Sequence, residues 1–196
     1  MEAKRFQEFA KCLPRALTRL SLQFHRLCFD WPSALVAPTQ HTPDLKYLGI
    51  GVLSGDELDD LPVIGADCGQ SALNFLTTLP PSLTALTIPV SRFWETHTSI
   101  FKKLPRGLSK LTMKHRMLVG SDSGFTAFTD EHFTAMPASL TKLEIPSDKR
   151  ITNRFWEVIP KTIRTVSFAT VTQRRQLNEA REWYYINPIW QGTADN

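Results

Sequence analysis

The residues that could do chemistry are few in this sequence and are scattered along it. The sequence contains no H-E-x-x-H, G-x-S-x-G, Walker, G-x-G-x-x-G or EF-hand motif. Its five histidines show no pairing typical of metal ligands, so the sequence predicts no metal site, no cofactor and no catalytic centre, and the protein is expected not to be an enzyme. These histidines are His25, His41, His97, His115 and His132.

Carboxylates and thiols offer two further candidates for chemistry. The acidic run Asp56–Asp60 could supply paired carboxylates, but it is more typical of a solvated helix with negative charge at its N-terminus. Cys12, Cys28 and Cys68 are odd in number and form no C-x-x-C pair. We therefore expect buried or half-buried thiols in a reducing compartment, and nothing in the sequence activates Cys12 as a nucleophile.

Composition predicts one domain with a sizeable core in an intracellular and cytoplasmic protein. The 196 residues are 42% hydrophobic, with a net charge of +4 and a pI near 9.1. The positive charge is spread along the chain, which favours nucleic acid only weakly. No apolar run approaches the roughly 18 residues that a membrane span needs, and the N-terminus lacks a secretory apolar region. We expect neither a membrane nor a small-molecule partner.

A ten-residue pattern organises the chain. Leu79 to Ile88 reads LPPSLTALTI, and the pattern apolar-Pro-x-x-L-x-x-L-x-L returns in four further full copies and one shortened copy. Self-similarity at this spacing indicates a solenoid of stacked repeats. The other copies are Leu13–Leu22, Pro43–Ile50 (shortened), Leu104–Met113, Met136–Ile145 and Ile159–Phe168.

Each copy predicts the same local structure. Alternating apolar and polar residues at its end indicate a short strand with one buried face. The proline ends a preceding helix, because the residue before proline is disfavoured in the α region. Ser91, Thr129 and Thr152 precede three of these helices as candidate N-caps. The predicted helices are Glu2–Cys12, Ala72–Thr78, Arg92–Lys103, Asp130–Ala135 and Asn153–Val158.

A phenylalanine stands four or five residues before five of the six repeat prolines. We interpret these rings as a column that stacks between neighbouring repeats, and a binding role for the column remains as the alternative. The residues are Phe9, Phe75, Phe101, Phe133 and Phe155.

Several stretches depart from the repeat. His25–Thr42 is predicted as an irregular loop, Val52–Gln70 as an insertion with a short acidic helix, and Leu118–Phe128 as a turn-rich loop. Thr172–Ile186 is predicted as one amphipathic helix that covers the end of the core. The sequence thus predicts about six repeats over residues 1–171 and a capping helix and tail over residues 172–196.

The repeat resembles that of leucine-rich repeat proteins, over most of residues 5–170. The consensus sequence L-P-x-x-L-x-x-L-x-L is similar to the repeats of bacterial effectors and to those of amoeboid and giant-virus proteins. Ser82-Leu83-Thr84 and Ser139-Leu140-Thr141 favour the second group. The resemblance implies an α/β solenoid with a short parallel sheet on the concave side and helices on the convex side. The family's asparagine after the last strand leucine is missing in every copy, so another group must satisfy that turn.

The resemblance also implies which residues contact a partner. In such repeats the strand residues between and after the leucines face outward on the concave side. Here these residues form a small polar surface that is basic around three lysines. The candidate partner-binding residues are Arg19, Gln23, Tyr47, Thr87, Lys110, Thr112, Lys114, Lys142, Glu144 and Ser167.

Two functions stay open at this point. The first is a non-enzymatic scaffold for protein–protein interaction, alone or as a subunit of a larger assembly, with an acidic protein surface as partner. The second is a nucleic-acid-associated, ribonucleoprotein component that binds through scattered basic residues. The small polar surface on the concave side supports the scaffold, and clusters such as Lys102-Lys103 and Arg174-Arg175 support the nucleic-acid role.

Overall fold

The computed structural model describes residues 2–24, 31–52, 68–89, 98–114, 128–145, 154–168, 174–177 and 183–186. In this part of the chain, helices and strands alternate from α1 to β6, and two further strands follow. The helices are α1 (Glu2–Cys12), α2 (Trp31–His41), α3 (Cys68–Thr78), a 3₁₀ helix (Thr98–Lys103), α4 (Asp130–Phe133) and α5 (Phe155–Val158). The strands are β1 (Arg19–Phe24), β2 (Tyr47–Val52), β3 (Ala85–Pro89), β4 (Lys110–Lys114), β5 (Lys142–Ile145), β6 (Thr165–Phe168), β7 (Arg174–Leu177) and β8 (Trp183–Ile186).

The strands form one sheet in chain order, with β1 to β6 parallel. Its register aligns equivalent repeat positions, so that Leu86 pairs with Leu48 on one side and Leu111 on the other. These leucines are fully buried beneath the helices, which pack on one another in chain order. The leucines of the repeat therefore form the core of a parallel α/β solenoid, as the sequence predicts.

A tight turn at each repeat proline joins the helix to the strand. The amide of Leu83 donates to the Pro80 carbonyl at 3.0 Å, and the other copies with a full pattern repeat this bond. The shortened copy differs, because the amide of Leu45 donates to the Thr42 carbonyl at 3.2 Å. Thr42 therefore occupies the position of the repeat proline, and Pro43 lies one residue further along the turn.

Serine and threonine hydroxyls tie neighbouring repeats together. Ser82 Oγ donates to the carbonyls of Pro43 at 2.6 Å and Leu45 at 2.9 Å, and Ser139 Oγ donates to the Leu108 carbonyl at 2.7 Å. The hydroxyls that immediately precede β3, β4 and β5 bond the equivalent carbonyl of the previous repeat at 2.9–3.1 Å. These residues are Thr84, Ser109 and Thr141. Hydrogen bonds between neighbouring repeats thus explain the Ser-Leu-Thr motif of the repeat.

The aromatic column is confirmed over the later repeats. The rings of Phe101 and Phe133 stack with centroids 5.9 Å apart, and Phe133 meets Phe155 edge to face at 4.8 Å. Phe75 is also fully buried. Phe9 differs, since 38% of it is exposed on α1.

The prediction of an irregular loop over His25–Thr42 is wrong, because α2 occupies Trp31–His41. Pro32 lies in the first turn of α2, where no intrahelical bond needs its missing N–H. Pro38 lies inside the helix. After it, the hydroxyl of Thr39 donates to the Leu35 carbonyl at 2.9 Å and that of Thr42 to the Pro38 carbonyl at 2.8 Å.

The prediction of a single helix over Thr172–Ile186 is also wrong. Strands β7 and β8 pair antiparallel with each other, and β7 pairs antiparallel with β6. The free edge of β6 presents unpaired backbone groups, which a following strand can satisfy. Aromatic and β-branched residues such as those of Trp183–Ile186 favour strands. The division at residues 171 and 172 remains a prediction.

Some sequence predictions fall outside the described residues. These are the acidic helix at Ser54–Glu57, the predicted loop from Leu118 as far as residue 127, the caps at Ser91 and Thr152, and the turn positions where the asparagines are missing. Cys12 is exposed and free of a disulfide, contrary to the predicted burial.

Candidate functional site

The polar face of the sheet is built by the register of the repeats. We use this name for the outward residues of β1 to β6, opposite the buried leucines. The first row starts the strands, and the second row lies two residues further along each strand. The first row is Arg19, Tyr47, Ala85, Lys110, Lys142 and Thr165; the second row is Ser21, Gly49, Thr87, Thr112, Glu144 and Ser167.

Two lysines of the first row lie side by side. Lys110 and Lys142 are direct partners in the β4–β5 register, and both side chains are exposed. Adjacent strands lie about 4.8 Å apart, and like charges directly opposite each other are unfavourable. No ion pair joins either lysine to another residue of the described part of the chain. The sheet therefore holds two ammonium groups close together, and hydration by water offsets part of their mutual repulsion.

Glu144 is the one carboxylate in these two rows. The hydroxyl of Thr112 donates to its Oε2 at 3.4 Å, which is a long bond. Thr112 is only 4% exposed, so its side chain positions Glu144 and offers a partner little surface. Lys114 is exposed at the carboxyl end of β4. The face is therefore basic around three lysines, and the one carboxylate of the two rows lies on β5, among these lysines.

An aromatic–cation pair occupies the first two strands. The guanidinium of Arg19 lies 4.0 Å from the centroid of the Tyr47 ring, a cation–π contact. The Tyr47 side chain lies along its own strand over Gly49, where an added Cβ would come within 2.7 Å of the tyrosine hydroxyl. Gly49 thus makes room for the ring, and the pair forms a half-buried amphipathic feature at this end of the face.

The remaining predicted contacts are placed on the same face. Gln23 is exposed on β1, and its side chain lies beside Gly51 of β2. Thr87 and Ser167 are half-buried in the second row. The structure thus brings all ten candidate residues onto one side of the sheet, and whether they bind a partner remains a prediction.

His132 is buried and structural. The Thr129 amide donates to His132 Nδ1 at 3.0 Å, which closes the N-terminus of α4 as a capping box. Nδ1 as acceptor places the proton of the neutral ring on Nε2, and that nitrogen has no partner among the described residues. The ring meets Phe128 edge to face at 5.7 Å. Thr129 is confirmed as the N-cap residue of α4, and His132 completes the capping box.

The same helix start perturbs one carboxyl group. The Thr129 hydroxyl bonds the carboxylate of Glu131 and lowers its pKa below the ordinary 4.5, and a backbone hydrogen bond acts in the same direction. The guanidinium of Arg154 adds a smaller lowering. Glu131 and Arg154 are 3.9 Å apart and both well exposed, so their ion pair joins α4 to α5 weakly.

The described residues hold neither a candidate metal cluster nor a candidate membrane span. Among them, no group of three or more His, Cys, Asp or Glu side chains could hold a metal ion. No helix within these ranges has the length and apolar character needed to cross a bilayer.

Sequence reasoning left three exposed cations beside the polar face out of the candidate site, although Arg106 belongs to the basic residues that support the nucleic-acid alternative. Arg106 and Lys161 directly follow repeat prolines, and Arg164 directly precedes β6. Attention to the strand rows alone left them out. The signal that could have found them is the basic residue after the proline, which recurs in three copies.

Comparison with solved structures finds a similar fold in a leucine-rich repeat protein. The leucine-rich repeat-containing protein LegL7 from Legionella pneumophila superimposes with a TM-score of 0.55 at 16% identity, over 83% of this chain. The chain spans about half of that protein, 51% of its length. No family model and no curated protein matches the sequence. At this identity the likeness concerns the fold, and the chain folds as a leucine-rich repeat solenoid.

Proposed function

We propose that the protein is a non-enzymatic interaction scaffold that binds an acidic protein surface on the polar face of its sheet. The observation that carries this proposal is the adjacent placement of Lys110 and Lys142, exposed and without an ion pair to any described residue. Two ammonium groups about 6 Å apart in water repel by about 0.7 kcal/mol. A partner's carboxylates would turn that repulsion into attraction.

The rest of the face fits the same role. Its hydroxyls and small side chains leave room for a partner to approach the sheet closely. The half-buried Tyr47 and its Arg19 are of the residue types that often dominate binding energy at interfaces. Lys114 extends the positive charge along β4. Such a surface also suits an intracellular protein that serves as a subunit of a larger assembly.

The test is capture of partners by a charge-reversed variant. We expect Lys110→Glu/Lys114→Glu/Lys142→Glu to lose partners that the wild-type chain retains at moderate salt, while its circular dichroism stays unchanged because all three side chains are exposed. A matched control reverses three exposed lysines of the helix layer, Lys11, Lys102 and Lys103. If both variants capture the same partners equally well, the polar face is not the binding surface.

A nucleic-acid-associated role is the competing proposal. It rests on the pI near 9.1 and on the exposed cations. Binding to phosphates would weaken steeply as salt increases. Retention of the protein on immobilised RNA, with a steep salt dependence and with no protein partner captured, would favour this role over a protein scaffold.

A further inference from the structure

The amino ends of β4 to β6 carry a cluster of cations that is larger than the strand rows alone suggest. We call it the amino-end patch and define it by its five exposed members. Lys110 and Lys142 start β4 and β5, Arg164 immediately precedes β6, and two more lie in the preceding turns. The five members are Arg106, Lys110, Lys142, Lys161 and Arg164.

The turns fix two of these cations at the edge of the sheet. Arg106 and Lys161 each follow the proline of a tight turn, closed by bonds of 3.0 Å from Leu108 to Pro105 and from Ile163 to Pro160. Each residue occupies the second position of its turn, and each is exposed. The patch therefore sits on backbone that is held by hydrogen bonds.

No carboxylate of the described chain forms an ion pair with a member of the patch. The ion pairs there are Lys11 with Glu8 and Arg154 with Glu131, and neither includes a patch member. Nearby hydroxyls are already engaged, because Ser109 and Thr141 donate to carbonyls of the preceding repeat. Recognition at this edge must therefore depend mainly on charge.

The third repeat separates the patch from a second, smaller group of cations. In that repeat the corresponding positions hold only uncharged residues, from Pro81 to Ala85. Arg15, Arg19 and Lys46 lie beyond it in the first two repeats, with Asp44 among them. The charge along this edge is thus concentrated over β4 to β6.

We infer that the amino-end patch binds an extended acidic segment of a protein partner. This inference rests on the proposed function and gives its partner a chemistry and a place. Three neighbouring strands span about 10 Å, which is about three residues of extended chain. Alternate side chains of such a segment lie on the same side, so alternating carboxylates can face the cations. Arg106 and Arg164 can each donate two parallel hydrogen bonds to one carboxylate.

The surroundings of the patch favour a polypeptide over single-stranded nucleic acid. Proteins that bind single strands combine cations with exposed aromatic rings on which bases stack. On the described polar face the aromatic ring is Tyr47, which lies on β2, away from the patch, and is already covered by Arg19. The patch offers charge without a stacking platform.

The test measures binding of a fluorescein-labelled peptide of alternating Glu and Ser by fluorescence anisotropy. We expect salt-sensitive binding to the wild-type chain and roughly tenfold weaker binding to Arg106→Glu/Arg164→Glu, because two exposed charge contacts become repulsive. The matched control Arg15→Glu/Lys46→Glu reverses the same two structural positions in the first repeats, and its affinity should stay within about twofold of wild type.

Each outcome bears on the inference. Equal weakening by both variants would mean attraction by net charge and would overturn a localised patch. Tighter binding of an oligouridylate of equal charge would overturn the polypeptide. If the peptide does not bind but partner capture still depends on Lys110, Lys114 and Lys142, the inference about the patch is overturned and the proposed function stands. If the peptide does not bind and partner capture does not depend on these lysines, both the inference and the proposed function are overturned.

Discussion

The hydrogen bonds between repeats predict that the two repeat serines stabilise the fold more than the two repeat threonines. Ser139 Oγ reaches the Leu108 carbonyl at 2.7 Å, and Ser82 Oγ reaches the Leu45 carbonyl at 2.9 Å. Neither acceptor receives another hydrogen bond from a described residue. Removal of either hydroxyl therefore leaves a part-buried carbonyl without its partner, which costs about 1–1.5 kcal/mol.

The threonine hydroxyls reach carbonyls that are already satisfied. The Lys46 carbonyl accepts the amides of Thr84 and Ala85 at 2.9 and 3.0 Å. The Ser109 carbonyl, which receives the Thr141 hydroxyl, likewise accepts the amides of Thr141 and Lys142 at 2.9 and 3.0 Å. A carbonyl has two lone pairs, so a third donor adds little. We expect the isosteric change of each threonine to valine to cost about 0.5 kcal/mol or less.

Chemical denaturation of two double variants measures this difference. Ser82→Ala/Ser139→Ala should lose about 2–3 kcal/mol of unfolding free energy, and Thr84→Val/Thr141→Val about 1 kcal/mol. For a chain of this size the first loss lowers Tm by roughly 4–12 °C. Ser21→Ala, at an exposed serine on β1, is the control and should change little. An equal or greater loss in the threonine variant would refute the ranking of the two sets of bonds.

Three further predictions follow from single contacts. Phe133→Ala should cost about 3–5 kcal/mol in denaturation, since the ring is fully buried between Phe101 and Phe155; a loss below about 1 kcal/mol would contradict the column. Gly49→Ala should displace the Tyr47 ring and weaken partner binding with little change in Tm; unchanged affinity would exclude the ring from the interface. Glu131→Gln should be less stable than wild type at neutral pH, with the difference vanishing in acid; a difference independent of pH would contradict the assigned contacts.

The sign of the pH effect follows from the direction of the pKa shift. The folded-state pKa of Glu131 lies below the ordinary 4.5. The carboxylate therefore adds stability above the unfolded-state pKa, and that contribution disappears as pH falls through the folded-state pKa. Glutamine does not titrate, so the wild-type chain and the variant converge at low pH. Denaturation at a series of pH values from neutral to acid measures the convergence.

The repeat pattern was enough to predict most of the fold. Helices end before the repeat prolines and strands follow them, because proline disfavours helix both at its own position and at the residue before it. Helix α2 was missed for the same reason, since Pro32 and Pro38 made its sequence look irregular. This helix buries Leu35, and its Thr39 hydroxyl lies 3.1 Å from the Thr78 hydroxyl of α3, a contact that only the folded chain brings together.

The C-terminal strands and the cross-repeat bonds needed tertiary information. Local amphipathicity favours a helix over Thr172–Ile186, but pairing with the free edge of β6 prevails. The Ser-Leu-Thr motif is visible in the sequence, but the carbonyls that accept hydrogen bonds from its hydroxyls belong to the preceding repeat. These carbonyls are identified only when the register is known.

The candidate site was predicted in outline. Strand periodicity and the family resemblance place the ten residues on one face, and the register brings Lys110 beside Lys142. Burial of Thr112 could not be predicted, because it depends on the strands on either side. The cations at the turns were in the sequence, but their proximity to the strand lysines depends on how the turns fold.

Partner capture by the lysine-reversed chain is the most direct test of the scaffold proposal. The wild-type protein, the Lys110→Glu/Lys114→Glu/Lys142→Glu variant and the helix-layer control would each be used for affinity purification from the native source, with identification of the co-purifying chains. The proposal predicts an acidic protein that wild type and control retain and that the strand variant loses, with all three equally folded. Retention of every partner by the strand variant would contradict it.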